Sequence, residues 1–123
     1  MFHKLAAHLR RGQYGEQLAT RHLKQQGLQI IANNVHTRYG EIDIIAQDGD
    51  VVVFIEVRTR KEHAKVSAAE SINHSKQQKW QRSALAYLQQ HYPQPPSCRF
   101  DAVCITIPTR GKPNIKWLQN VIS

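Results

Sequence analysis

The chain has 123 residues, enough for one hydrophobic core and too few for two ordinary domains. Charged residues make up 21% and hydrophobic ones 41%, a globular balance that excludes an intrinsically disordered chain. A formal net charge of +8 favours a polyanionic partner, with a merely basic surface as the plain alternative.

The cysteines, Cys98 and Cys104, are too few for a disulfide scaffold, and no Cys or His partners stand at zinc spacing. Cys104 lies inside an apolar run and reads as a core residue. No stretch approaches a membrane span, and residues 1–11 lack the uninterrupted apolar segment of a secretory signal. The expectation is a cytoplasmic protein forming a single domain over residues 1–123.

Residues 1–11 are basic and weakly patterned, either a flexible arm or the first turns of a helix. A helix is expected over Gln13 to Gln26, where Tyr14, Leu18, Ala19 and Leu23 recur at helical spacing and Gly27 supplies a C-cap. Glu16 falls in the first turn of that helix, where an acid complements the dipole. Leu28 to Val35 reads as a strand whose end is weakened by Asn33 and Asn34.

Gly40 to Arg58 reads as a hairpin. Its flanks are rich in Ile and Val, which suit a half-buried pleated surface. Asp48-Gly49 suits a two-residue type I′ loop. With those two as the loop, Ala46 faces Val51, Asp43 faces Phe54 and Glu41 faces Glu56. One face then carries Ile42, Ile44, Ala46, Val51, Val53, Ile55 and Val57. The other gathers Glu41, Asp43, Ile45, Val52, Phe54, Glu56 and Arg58. Asp43 and Glu56 become diagonal neighbours, roughly 7–8 Å apart at the backbone. A slip of one residue would separate them, and the clean apolar face argues against it.

Thr59 to Lys65 is expected as a basic loop beside the acids, and Val66 to Ile72 as a short helix. Ser75 to Gln78 resembles a capping box opening a helix to about His91, with Trp80, Ala84, Tyr87 and Leu88 on its buried stripe. Pro93, Pro95 and Pro96 end it. Arg99 to Ile107 and Asn114 to Leu118 are the last strands, with Asp101 expected to pair with Arg99 or a neighbouring base. The order implies an α/β sheet with flanking helices and a crossover through the Trp80 helix, the best candidate to cover the apolar hairpin face.

Two carboxylates converging from adjacent strands suit a hard cation such as Mg²⁺ or Mn²⁺, which takes oxygen ligands and completes its shell with water and phosphate. Such a metal polarises a phosphodiester and lowers the pKa of bound water. Alternatively, these acids form surface ion pairs with Arg38, Arg58 or Arg60. Arg60, Lys61, Lys65, Lys79 and Arg82 are candidates for phosphate contact, or simply a solvated basic face. Lys76, at the helix start, is a further candidate for phosphate contact or an amine at the site, or else a solvated helix-start lysine.

Asp43 followed by Glu56-Val57-Arg58 resembles the PD-(D/E)XK nuclease signature. More closely, the chain resembles the YraN-like family of small bacterial proteins. The resemblance rests on Gly15-Glu16, Gly40 to Ala46, Val53 to Arg60, Ser75-Lys76-Gln77 and Arg99 to Val103, in order along nearly the whole chain. It implies a restriction-endonuclease-like fold, a central mixed β-sheet flanked by helices, similar to archaeal Holliday junction resolvases. It further implies Asp43 and Glu56 as metal ligands with the Val57 carbonyl as a third. Glu16 becomes a supporting acid, and Glu41 either supports these acids or pairs with a basic neighbour.

The expected activity is a metal-dependent endonuclease acting on DNA, branched or single-stranded, with a homodimer compatible with junction binding. The alternatives are a nucleic-acid-binding module on the same fold with little catalysis, and a scaffold subunit of a DNA-processing complex. Arg58 departs from the superfamily lysine. It stays protonated and cannot serve as a base, but it can orient water or stabilise phosphate charge.

Overall fold

The computed structural model describes residues 2–122, with side chains from residue 12 onward. The elements run α1 (Phe2–Gln25), β1 (Gln29–Thr37), β2 (Gly40–Asp48), β3 (Val51–Lys61), α2 (His74–His91), β4 (Cys98–Ile107) and β5 (Asn114–Leu118). The strands form one sheet in the order β1-β2-β3-β4-β5. Pairing is antiparallel except between β3 and β4, which are parallel and joined through α2. This is a mixed five-stranded α/β sheet flanked by helices, consistent with a restriction-endonuclease-like arrangement.

The first helix is longer than its apolar spacing predicts. It begins at Phe2, so residues 2–11 continue the helix; the side chains of the expected arm lie outside the described residues. Glu16 is therefore in the interior of the helix, far from the first turn, and a role in complementing the dipole falls away. At the other end the expected cap is present. Leu28 N–H donates to Leu23 O at 3.0 Å and Gly27 N–H to Lys24 O at 3.0 Å, a Schellman closure. Gly27 takes a φ of 97°, which glycine adopts readily.

The hairpin turns one residue later than expected. Asp48 pairs with Val51, leaving Gly49-Asp50 as the loop. Gly49 has φ 60°, whereas Asp50 is not among the positive-φ residues. That is the requirement of a type II′ turn, which places glycine first, whereas the expected type I′ turn would force Asp48 into the left-handed region. The pairing shifts by two residues, which preserves which side chains share a face. Ile45 now faces Phe54 and Ile44 faces Ile55.

The two helices cover opposite faces. Ala19 and Leu23 of α1 pack with Ile44, Ala46, Val53, Ile55, Val57, Val103 and Ile105. Trp80, Ala84, Tyr87 and Leu88 of α2 pack with Ile42, Ile45, Val52 and Phe54. The apolar hairpin face is thus covered by α1, and the Trp80 helix covers the face expected to be acidic. Ile42 also departs from the pattern. It joins the α2 core whereas Ile44 joins the α1 core, so strict alternation breaks around Asp43.

Three local expectations also change. Thr59, Arg60 and Lys61 extend β3 and pair with Ile105, Thr106 and Ile107, so this part of the expected loop is strand. Within residues 66–72 only 68–71 form a turn, with Ser71 N–H donating to Ser67 O at 3.1 Å, in place of a short helix. The second helix is capped by Asn73, whose side chain accepts from Lys76 N–H at 3.0 Å, two residues ahead of the expected Ser75 cap. Cys104 is buried, as its apolar setting predicts.

Candidate active site at the fork between β2 and β3

The β2–β3 ladder ends at the Ile44–Ile55 pair, while β3 continues along β4 to Lys61. The next residues past the end of the ladder are Asp43 and Glu56, and the same register sets them opposite one another. A carboxylate takes over where backbone pairing stops: Asp43 Oδ2 accepts from Val57 N–H at 2.8 Å. In a strand, the N–H and C=O of one residue point toward the same neighbour. The Val57 carbonyl therefore also faces the gap beside Asp43.

The resulting pocket has a volume of about 280 Å³ and is bordered by Gly12, Glu16, Asp43, Glu56, Arg58 and Arg60 among others. Burial, and then the nearby Glu56 charge, pushes the Asp43 carboxyl up to about 7, although the Val57 amide opposes this. Glu56 is raised chiefly by burial, against the opposing influence of Arg58, Lys76 and a hydrogen bond shared with Asp43. Burial and mutual repulsion make it costly for both carboxylates to be charged at once. A divalent cation would relieve their repulsion.

Glu16 reaches the pocket from α1. Its carboxyl is raised by burial, opposed by a hydrogen bond from Asn34 and reinforced by Glu41. Asn34 has a positive φ of 52° within β1. Among the described residues, no three His, Cys, Asp or Glu side chains gather as a metal-ligand group. The oxygen donors suited to a cation are thus the two carboxylates and the Val57 carbonyl, with Glu16 acting on them through its charge. Glu41 lies on the exposed rim, with Oε1 2.9 Å from His36 Nδ1.

Arg58 Nη2 lies 2.7 Å from Glu56 Oε1. The guanidinium and any cation therefore compete for the same carboxylate. Arg60 borders the fork, and Lys76 and Lys79 border an adjoining cavity together with Glu56 and Arg58. The Lys76 amine is lowered, first by burial and then by Arg58 and Arg60, with Glu56 opposing. Arg82 stands apart in a shallow groove with Tyr39 and Leu85. Lys61 and Lys65 are exposed at and beyond the end of β3. Of the expected phosphate-contact residues, Arg60, Lys76 and Lys79 are thus brought to the acids, whereas Lys61, Lys65 and Arg82 do not border the fork or its adjoining cavity.

Sequence reasoning misses five neighbours. Gly12 and Thr59 line the fork, and Gly40, Trp80 and Ser83 line the adjoining cavity. The glycine at position 15, inside a helix, is the signal that could have located the close approach of α1 to β3, because a Cβ there would collide with Thr59 Oγ1. Trp80 and Ser83 carry no such signal: helical spacing identifies Trp80 only as buried, and Ser83 is not on the expected stripe. No helix among the described residues is long and apolar enough to cross a membrane.

The mixed five-stranded sheet with its two helices is an α/β fold consistent with a nuclease-like fold. Its particular family follows from sequence: the chain belongs to the Uncharacterised protein family UPF0102, whose model matches residues 15–105. It is similar to a UPF0102 protein of Dichelobacter nodosus, at 56% identity over 92% of this chain and 89% of that relative. A UPF0102 protein of Herpetosiphon aurantiacus is 44% identical over 89% of this chain and 91% of its own length. One from Desulfitobacterium hafniense is 41% identical over 89% and 93%.

Proposed function

We propose that this protein is a Mg²⁺- or Mn²⁺-dependent nuclease acting on DNA, with branched or single-stranded substrates. The observation that carries the reading is the Asp43–Glu56 pair at the end of the β2–β3 ladder, where Val57 N–H fixes Asp43 at 2.8 Å. Asp43, Glu56 and the Val57 carbonyl would hold the cation. The bound cation would polarise the phosphodiester and acidify a water.

The protein's own groups supply the rest. Arg60, Lys76 and Lys79 hold the polyanion through charge. Hydrolysis joins a water oxygen to phosphorus and breaks the bond to the leaving oxygen, which takes up a proton. Arg58, permanently protonated, stabilises the charge that develops on the phosphate. Glu16 keeps the field at the fork negative and so favours cation entry.

A second reading is a nucleic-acid-binding module with little hydrolysis. It is favoured by the Arg58–Glu56 contact at 2.7 Å, which engages a carboxylate that the cation needs. Single-stranded, duplex and four-way-junction DNA, each incubated with Mg²⁺, Mn²⁺ or EDTA, separate the two. The nuclease reading expects metal-dependent cleavage that Asp43→Ala and Glu56→Ala each reduce at least a hundredfold. Binding without cleavage, together with cleavage gained in Arg58→Lys, selects the second reading. No DNA affinity at low salt overturns both.

A further inference from the structure

Among the described residues, the buried side-chain polar atoms without a hydrogen-bond partner are Arg58 Nε, Trp80 Nε1, Ser83 Oγ and Arg99 Nη2. Arg99 Nη2 still faces the Asp48 carboxylate at 2.9 Å. The residues bearing the other three border one cavity of about 150 Å³ between α2 and the β2–β3 fork. Buried polar groups are rarely left without partners, and such an exception requires a cause. Three residues that carry such atoms border one cavity, which points to a missing acceptor.

The cavity wall defines that acceptor. Lys76, Lys79, Trp80 and Ser83 lie along one stripe of α2, and Gly40 and Arg58 close the opposite side. Gly40 takes φ 147°, and a Cβ on it would come within 3.4 Å of Ser83 Oγ, so glycine keeps this wall open above the hydroxyl. Guanidinium, ammonium and indole N–H groups only donate, and a serine hydroxyl can donate. The acids bordering the cavity are already engaged, Glu56 by Arg58 at 2.7 Å and Glu41 by His36 at 2.9 Å. Among the described residues, neither Lys76 nor Lys79 forms an ion pair.

One water has two lone pairs and cannot accept from all these donors, so water would fill the cavity only as a cluster. A tetrahedral phosphate oxyanion accepts from several at once, and as a phosphodiester it carries no donor of its own. We propose that this cavity is a phosphate-oxyanion subsite, bounded by Arg58, Lys76, Lys79, Trp80 and Ser83. Where the nuclease reading holds, its occupant is the phosphate adjoining the scissile phosphodiester. Free phosphate is the other source of the same chemistry.

The indole N–H resonance of Trp80 in the ¹⁵N-labelled protein reads the site directly. The expected result is a saturable shift of this resonance on adding inorganic phosphate. An oligothymidylate added in EDTA gives the same shift at lower concentration. The Trp117 indole, already donating to Asp101 Oδ2 at 2.9 Å, stays in place. Ser83→Ala and Lys76→Met each raise the apparent Kd at least fivefold, whereas Lys112→Met, in the turn before β5, leaves it unchanged.

A response to phosphate alone supports the subsite with free phosphate as its source. An unresponsive Trp80 overturns the subsite, as do Ser83→Ala and Lys76→Met variants that respond like the wild type. Absent cleavage with a responsive Trp80 removes the nuclease reading and leaves the subsite standing. Cleavage with an unresponsive Trp80 does the reverse.

Discussion

The backbone N–H of Val57 donates to Oδ2 of Asp43 at 2.8 Å, at the point where β2 and β3 stop pairing. One bond thus closes the end of the ladder and orients a carboxylate toward Glu56. Asparagine can keep that acceptor without the charge, whereas alanine removes it. Asp43→Asn is expected to be more stable than Asp43→Ala by about 1–3 kcal/mol, the cost of leaving a buried donor unpaired. Urea unfolding of the two variants checks this; equal stabilities would show that the bond contributes nothing.

The acidic fork makes stability depend on pH. Asp43 rises from 3.8 to about 7 on folding, and Glu56 and Glu16 shift in the same direction. Between these limits the folded chain holds more protons than the unfolded one. The contribution of these groups is therefore fully present below the unfolded values and is lost as pH rises through about 7. For Asp43 the loss is on the order of 4 kcal/mol, at about 1.4 kcal/mol per pH unit. Without divalent ions, urea midpoints should fall from pH 5 to pH 8, with a smaller fall in Asp43→Asn. Mg²⁺ at pH 8 should restore part of the loss. A variant as pH-sensitive as the wild type would refute this assignment.

Gly15 lets α1 approach Thr59 of β3. Gly15→Ala gains about 1 kcal/mol in helix propensity but meets Thr59 Oγ1, and overpacking of this kind costs about 1–3 kcal/mol. A net loss of stability is expected, and Thr59→Ala in the same chain should recover at least half of it. A double-mutant cycle measures the coupling. Additive effects would mean that the helix shifts away freely.

Asp101 is fully buried on β4, beside Ile55 of β3. Its oxygens accept from Arg99 Nε at 3.1 Å, Trp117 Nε1 at 2.9 Å and Asn120 N–H at 2.9 Å, tying β5 and the segment after it to β4. Asp101→Ala strands these donors and leaves Arg99 short of a counter-charge. A loss of about 3–5 kcal/mol is expected, with a change in Trp117 emission preceding global unfolding in urea. A single transition at the wild-type midpoint would contradict this.

The expected pairing of Arg99 with Asp101 is present, but its extension to Trp117 and Asn120 was not legible, because those partners arrive from other segments. Glu16 shows the same limit. Apolar spacing started its helix near residue 13 and so gave the acid a dipole role, whereas the helix begins at Phe2 and carries Glu16 to the fork. Thr59 to Lys61 are polar enough to read as a loop. Pairing with β4 holds them as strand, an example of tertiary contacts overriding local composition.

Residue order alone determined the succession of helices and strands, the Gly27 closure and the nearness of Asp43 to Glu56. These depend on local periodicity and turn chemistry, which survived even a two-residue shift in pairing because side chains alternate with a period of two. Tertiary structure decided which helix covers which face, since a β3–α2–β4 crossover is governed by the handedness of the chain path and not by side-chain pattern. It also decided that the β2–β3 ladder ends at Ile44, leaving Val57 N–H for Asp43. The acids were legible as a pair; burial and the loss of a ladder partner make that pair a site.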